Sequence, residues 1–246
     1  VLGGARTPMG RLQGALSSLS AADLGGFAIA GALERSGIPP TDVDYVVLGQ
    51  VLQAGVGQNA ARQAAIAGGL GMAIPALTIN KVCLSGIDAI ALADQMIRAG
   101  EFDTVVAGGM ESMSQAPHLL IGSREGKKYG DWTMIDALAF DGLTCAFDEC
   151  AMGEATERYN DRYALTRQEQ DAVAEASHRR AAAAQSAGIL AEEIIPVRSP
   201  QRKGDDIVVT DDEGIRVETT AESLGRLRPA FAPEGTITAG SRTAWH

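Results

Sequence analysis

Over residues 1–110, short unbroken apolar runs alternate with stretches in which apolar residues recur at helical spacing. Val1-Leu2-Gly3-Gly4-Ala5 reads as the end of a strand leading into an Arg6-Thr7-Pro8 loop. Val1 already stands inside that run, so we expect starting residues ahead of it. From Ser20 to Arg35 the pattern turns helical: Ser20 and Asp23 can cap it, Leu24, Phe27, Ala28 and Leu33 form an apolar face, and Gly37 and Pro39 end it. Gly31 falls on that face and weakens the middle of the predicted helix. Tyr45–Gly49 reads as a buried strand, Asn59–Ala67 as a short Ala-rich helix packed closely on a neighbour, and Thr104–Gly109 as another buried strand. The order β-α-β-α-β-α-β predicts a layered α/β domain with a mostly parallel sheet and right-handed crossovers.

Between those elements lies Ala76-Leu77-Thr78-Ile79-Asn80-Lys81-Val82-Cys83-Leu84-Ser85-Gly86. An apolar, β-branched run passes into a helical pattern from Ser85 to Ile97, with Ile87, Ile90, Ala91, Met96 and Ile97 near one face and Gly100 as its stop. Ser85 and Asp88 have capping-box spacing. Cys83 therefore sits where a strand ends and a helix begins, a setting in which backbone N–H groups and the helix dipole favour a thiolate. Two readings stand side by side: a nucleophile on a turn, or a buried cysteine serving as a small hydrophobe.

After Gly109 the texture changes. Residues 110–144 lack a period and read as long loops with short helices, and Met152–Gly188 is helical with a break near 160–165. Thr166 and Glu169 form a second capping box ahead of the Ala-rich run 172–187. Ile194–Val197 and Ile207–Val209 read as a polar hairpin with turns at Gly204 and Gly214. We expect a boundary near residue 118, with 1–117 forming the α/β domain and 118–240 an inserted α+β loop domain.

Composition narrows the functional classes. A hydrophobic content of 46% with 21% charged residues is that of a globular chain, and no apolar run spans a bilayer or forms a leader, so no membrane partner is expected. The net charge of −10 argues against nucleic acid, and any anionic ligand must meet a local basic patch. Three cysteines, Cys83, Cys145 and Cys150, make no disulfide framework and no zinc-ligand spacing with histidine, so a reducing, cytoplasmic setting without a bound metal is expected.

Five segments resemble the thiolase family, the acetyl-CoA acetyltransferases above all. They are Gly4-Ala5-Arg6-Thr7-Pro8, Asn80-Lys81-Val82-Cys83-Leu84-Ser85-Gly86, Ala107-Gly108-Gly109-Met110-Glu111-Ser112-Met113-Ser114, Leu227-Arg228-Pro229-Ala230-Phe231 and Gly235-Thr236-Ile237-Thr238-Ala239-Gly240. The resemblance runs in order from residue 1 to about 240. Ketoacyl synthases share the fold and a cysteine nucleophile, but the surroundings of Cys83 resemble the thiolase version. The resemblance implies that Cys83 takes an acyl group from an acyl-CoA as a thioester, with its N–H stabilising the oxyanion. A second acetyl-CoA then attacks by Claisen condensation to give acetoacetyl-CoA, thiolysis being the reverse. Carried over position by position, the coenzyme A contacts are Leu143, Met152, Arg216, Ser223, Phe231 and Ala239, with Thr243 in the place of a serine. Coenzyme A thioesters are thus substrates, with no permanently bound cofactor. Arg198, Arg202, Lys203, Arg216, Arg226 and Arg228 concentrate positive charge for them. Thiolases are dimers or tetramers, and 118–131 resembles the tetramer-forming loop.

The chain departs from the pattern in three places. Ala151 stands where many members have histidine. The second thiolase-like domain, with its Gly-His-Pro histidine and Cys-x-Gly cysteine, is expected after this point, and neither motif occurs in the 246 residues. His118, His178 and His246 are the only histidines, with His178 expected to face solvent and His118 to be structural. The tail 241–246 breaks the family pattern, as truncation or a frame shift would. The alternatives are a non-catalytic coenzyme A-binding or dimer-forming fragment, and a cysteine hydrolase using His118 or His178 as base.

Overall fold

The computed structural model describes residues 1–201 and 203–241, with the backbone alone at Asp161. Arg202, Thr243 and the rest of the tail beyond Ser241 lie outside the described residues. In chain order the elements begin with α1 (Ala21–Ser36), β1 (Tyr45–Gly49), α2 (Ala60–Ala67), β2 (Ala76–Ile79), α3 (Ser85–Arg98) and β3 (Val105–Gly109). The three strands form a parallel sheet in the order β2-β1-β3, with Val46 facing Ala76 and Val106. This is the α/β architecture with parallel pairing that the alternating pattern predicts.

Side chains alternate across a strand, so the two faces of β1 are covered differently. Val46 and Leu48 join Ile29 and Leu33 of α1 and Ala60, Ala61, Ala64 and Ala65 of α2 in one core. Val47, fully buried, and Gly49 face the other side, where α3 packs on β1 and β3. Helix α1 is a layer between two cores: Leu24 and Phe27 pack instead against Leu16, Leu19, Val197 and Val209. That double role explains Gly31, where a Cβ would stand 2.6 Å from a methyl of Ile195. The Ser20–Asp23 capping box is present as expected.

The strand expected at 1–5 is not formed. Val1 and Leu2 are exposed, and the chain makes only a bridge from Arg6 to Ile194, with Arg6 N–H to the Glu193 carbonyl and Ile195 N–H to the Arg6 carbonyl, both 2.9 Å. The Arg6 guanidinium fixes this register through Asp212 at 2.8 and 3.0 Å and Glu193 at 2.8 Å. A partner nearly the whole chain away outweighs the local apolar pattern.

Beyond Gly109 come β4 (His118–Leu119) and β5 (Ile135–Asp136), which pair antiparallel, then a π-helical turn over Leu138–Leu143. Helices α4 (Met152–Tyr163) and α5 (Arg167–Ser186) follow, α5 with its Thr166–Glu169 capping box. β6 (Val197–Ser199) pairs antiparallel with β7 (Ile207–Val209), so the hairpin starts later than expected, because Ile194 and Ile195 are engaged with Arg6. A short α6 (Ala221–Gly225), which the pattern did not announce, closes the series. Among the described residues no helix is long and apolar enough to cross a membrane.

Candidate active site

The turn from β2 into α3 is built by short-range hydrogen bonds. Asn80 Oδ1 accepts from Val82 N–H at 2.9 Å, and its amide donates to the Val51 carbonyl at 3.3 Å. Ser85 Oγ accepts from Lys81 N–H at 2.7 Å and donates to the Val82 carbonyl at 2.6 Å. Ser85 is thus the first helical residue with Leu84 as N-cap, and the capping box expected from Ser85 and Asp88 is absent. Asp88 pairs instead with Lys81 at 2.7 Å, an exposed ion pair of small energetic weight.

Within this turn Val82 has φ +50°, a region that a β-branched residue enters only when its surroundings force it. The strain sits one residue before Cys83, whose side chain is exposed. The reading of Cys83 as a core hydrophobe is therefore overturned. Cys145 is half-buried and Cys150 is 8% exposed, so iodoacetamide should modify Cys83 first and Cys150 last. Peptide mapping that found all three labelled at one rate would contradict this ordering.

The elbow sits directly on the sheet. A Cβ on Gly49 would lie 2.5 Å from the Ser85 carbonyl carbon, and one on Gly109 would lie 3.4 Å from Gly86 Cα. Helix α3 buries Ser85, Ala89 and Ala93, while Ile87 (68%), Ile90 (54%) and Ile97 (44%) are exposed. The apolar face expected from periodicity therefore points away from the sheet. Small residues let the helix lie close, and the large ones occupy its outer side.

Glu111 follows β3 and holds the neighbouring loop. Its carboxylate accepts from Val51 N–H at 2.8 Å and from Leu52 N–H at 3.3 Å, on the same loop that Asn80 reaches. Burial raises the Glu111 pKa above its ordinary 4.5, against the opposing pull of backbone N–H donors. A carboxyl raised in the fold binds protons more tightly folded than unfolded, so this group's contribution falls as pH climbs from 4.5 through its folded pKa. Glu111→Gln should flatten that fall: urea midpoints taken from acidic to neutral pH should show the variant gaining relative to the parent as pH rises. Parallel curves would remove the role.

The expected coenzyme A contacts form two groups. Leu143 ends the π-helical turn beside the Thr144–Ala151 bridge, Met152 opens α4, and the Phe231 ring lies against Gly153, where a Cβ would be 2.1 Å away. Ser223 belongs to the cap of α6, and its neighbour Leu224 lies against Gly240, next to Ala239. Arg216 stands beside α5, its backbone N–H donating to His178 Nδ1 at 3.3 Å, and His178, expected to face solvent, is half-buried. His118 is exposed in β4. Arg198, Lys203, Arg226 and Arg228 are exposed, Arg226 pairing with Glu222. Clefts of about 160 Å³, lined by 7–12 and 111–114, and about 210 Å³, against Gln50, contain neither Cys83 nor these residues. Sequence reasoning missed the roles of Gly49, Val82 and Glu111. A glycine closing an apolar strand and a carboxylate just past Gly108-Gly109 were the available signals.

The class of fold is a parallel-sheet α/β domain that carries an exposed cysteine on a strained strand-to-helix turn. The thiolase N-terminal domain model matches residues 1–244, and the chain belongs to the thiolase family. A probable acetyl-CoA acetyltransferase of Mycobacterium tuberculosis is 59% identical over 98% of this chain and 61% of its own length. An acetyl-CoA acetyltransferase of Thiocystis violacea is 52% identical over 96% of this chain and 60% of its own. The crystal structure of the Bacillus anthracis acetyl-CoA acetyltransferase superposes with a TM-score of 0.95 at 34% identity, covering 99% of this chain and 61% of that one. The chain thus spans about 61% of the curated relatives it matches.

Proposed function

We propose that this chain is the nucleophile-bearing part of an acetyl-CoA C-acetyltransferase, and the observation that carries the reading is Cys83 exposed behind Val82 at φ +50°. The Cys83 thiolate attacks the thioester carbonyl of acetyl-CoA, the C–S bond to coenzyme A breaks, and coenzyme A leaves with a proton. The N–H of Cys83, just ahead of α3, is the oxyanion donor. The α-carbon of a second acetyl-CoA, once deprotonated, attacks the acetyl-cysteine carbonyl. A carbon–carbon bond forms, the bond to Cys83 breaks, and acetoacetyl-CoA results; thiolysis runs the other way.

Leu143, Met152 and Phe231, gathered at the start of α4, line the pantetheine arm, with Ser223 and Ala239 further out and Arg216 on the nucleotide. In this reading residues 1–117 carry the nucleophile and 118–240 hold coenzyme A. The full protein is a cytoplasmic homodimer or homotetramer in fatty acid metabolism. The test is to incubate the folded chain with acetyl-CoA and map the adduct. A hydroxylamine-labile acetyl group on the tryptic peptide Val82–Arg98 is expected. An acetyl group confined to lysines would end the nucleophile assignment.

A further inference from the structure

Outside the elbow, the molecule carries a second arrangement of sulfur. Thr144 and Ala151 form an antiparallel bridge, closed on its inner side by Cys145 N–H donating to the Cys150 carbonyl at 2.9 Å. That bond makes Thr144 and Ala151 the non-hydrogen-bonded pair of a small ladder and sets Cys145 directly opposite Cys150 on the next rung. Directly opposed residues put their side chains on one face, with Cα atoms roughly 4.5–5.5 Å apart. This lies inside the span of about 4.4–6.8 Å that a disulfide requires. The turn between them is tight: Glu149 N–H donates to the Cys145 carbonyl at 2.9 Å, and Glu149 has φ +51°. Both thiols are free.

The surroundings distinguish the two. Cys145 is the more accessible; its thiol meets the Asp148 carboxylate at 3.5 Å and accepts from Asp148 N–H at 3.4 Å. Cys150 is buried.

We propose that Cys145 and Cys150 form a two-thiol modification site, separate from the elbow, that reacts with hydroperoxides to give a reversible intrachain disulfide. Cys145 sulfur attacks the outer oxygen of the hydroperoxide. The O–O bond breaks, an alcohol leaves with the thiol proton, and a sulfenic acid remains on Cys145. Cys150 sulfur then attacks Cys145 sulfur, the S–O bond breaks, and water leaves. Two thiols are oxidised to one disulfide, and the hydroperoxide is reduced to an alcohol and water. The product ties the two strands of the hairpin whose outer ends are Leu143 and Met152.

The test treats the folded 246-residue chain with tert-butyl hydroperoxide, alkylates remaining thiols in denaturant, and maps the tryptic peptide Tyr129–Arg158, which holds both cysteines. Expected is loss of both alkylatable thiols, a peptide lighter by two hydrogens, and full recovery with dithiothreitol. Cys150→Ser should instead carry Cys145 on to sulfinic acid, which dithiothreitol does not reverse. The disulfide should also form faster in the folded chain than in urea, because the ladder holds the pair in place. Sulfinic acid at Cys145 in the parent chain as in Cys150→Ser, or a pair that closes no faster folded than in urea, would overturn the proposal.

Discussion

Cys83→Ala is expected to abolish acetyl transfer from acetyl-CoA, and the parent 246-residue chain to acetylate slowly without making acetoacetyl-CoA at an enzymatic rate. The single transfer needs a thiol, an oxyanion donor and a bound thioester, and in the proposed reading the exposed Cys83, just ahead of α3, supplies the first two through its thiol and its N–H. Condensation needs more: a base to activate the thiol and another to take a proton from the acetyl methyl. General acid–base assistance contributes roughly a hundredfold to ten-thousandfold per group, and the motifs that the family resemblance assigns to these tasks do not occur in this sequence. Two such losses should bring carbon–carbon bond formation near background. The assay follows acetoacetyl-CoA by its absorbance with magnesium while the protein is weighed for an acetyl adduct. Sustained turnover by this chain alone would send the search for a base to His118 and Cys145, and would discard the assignment of proton transfer to motifs outside this sequence.

The parts of the fold legible in the sequence are those set by local chemistry. Ser20 with Asp23 and Thr166 with Glu169 satisfy N-terminal N–H groups within one turn, so spacing alone locates the starts of α1 and α5. Tyr45–Gly49 is buried on both faces and reads as an unbroken apolar run for that reason. The same rules fail where a distant partner decides. Residues 1–5 look like a strand, but the Arg6 guanidinium is drawn to Asp212 and Glu193, and the backbone follows it. Ser85 and Asp88 have the right spacing for a cap, yet Ser85 lies one position inside the helix and turns its hydroxyl back to Lys81 and Val82.

Periodicity in α3 failed differently. It located a face rich in isoleucine correctly and said nothing of what covers it. Burial against β1 and β3 goes to Ser85, Ala89 and Ala93, whose small side chains carry little weight in a hydrophobic pattern. For the candidate site, Cys83 stands out in the sequence because motif and strand-to-helix change fall on one residue. The strain at Val82 was not, since nothing about a valine announces a positive φ. The expected coenzyme A contacts came from resemblance alone, and the two groups they form depend on the Thr144–Ala151 and Pro229–Thr238 bridges, which join residues without a shared pattern.

Gly49→Ala should be among the most damaging single-methyl additions in the molecule. The new Cβ would stand 2.5 Å from both the carbonyl carbon and Cβ of Ser85 and 2.7 Å from Gly86 nitrogen. Those atoms are backbone or the buried first residue of α3, so no flexible side-chain end can give way. Relief requires α3 to lift from the sheet, and the elbow with it. Overpacking of a tight core costs about 1–3 kcal/mol, and contacts with backbone place this site at about 3. In a chain of this size that corresponds to a fall in melting temperature of roughly 6–12 °C. Gly71→Ala is the control, since a Cβ there meets nothing within 4 Å. The lift should also disturb the bonds from Ser85 to Lys81 and Val82 that hold Cys83 in place, so the rate of Cys83 acetylation should drop at temperatures where both variants remain folded by circular dichroism. A Gly49→Ala protein that melted with the Gly71→Ala control and acetylated at the parent rate would mean that α3 does not rest on β1 at this point.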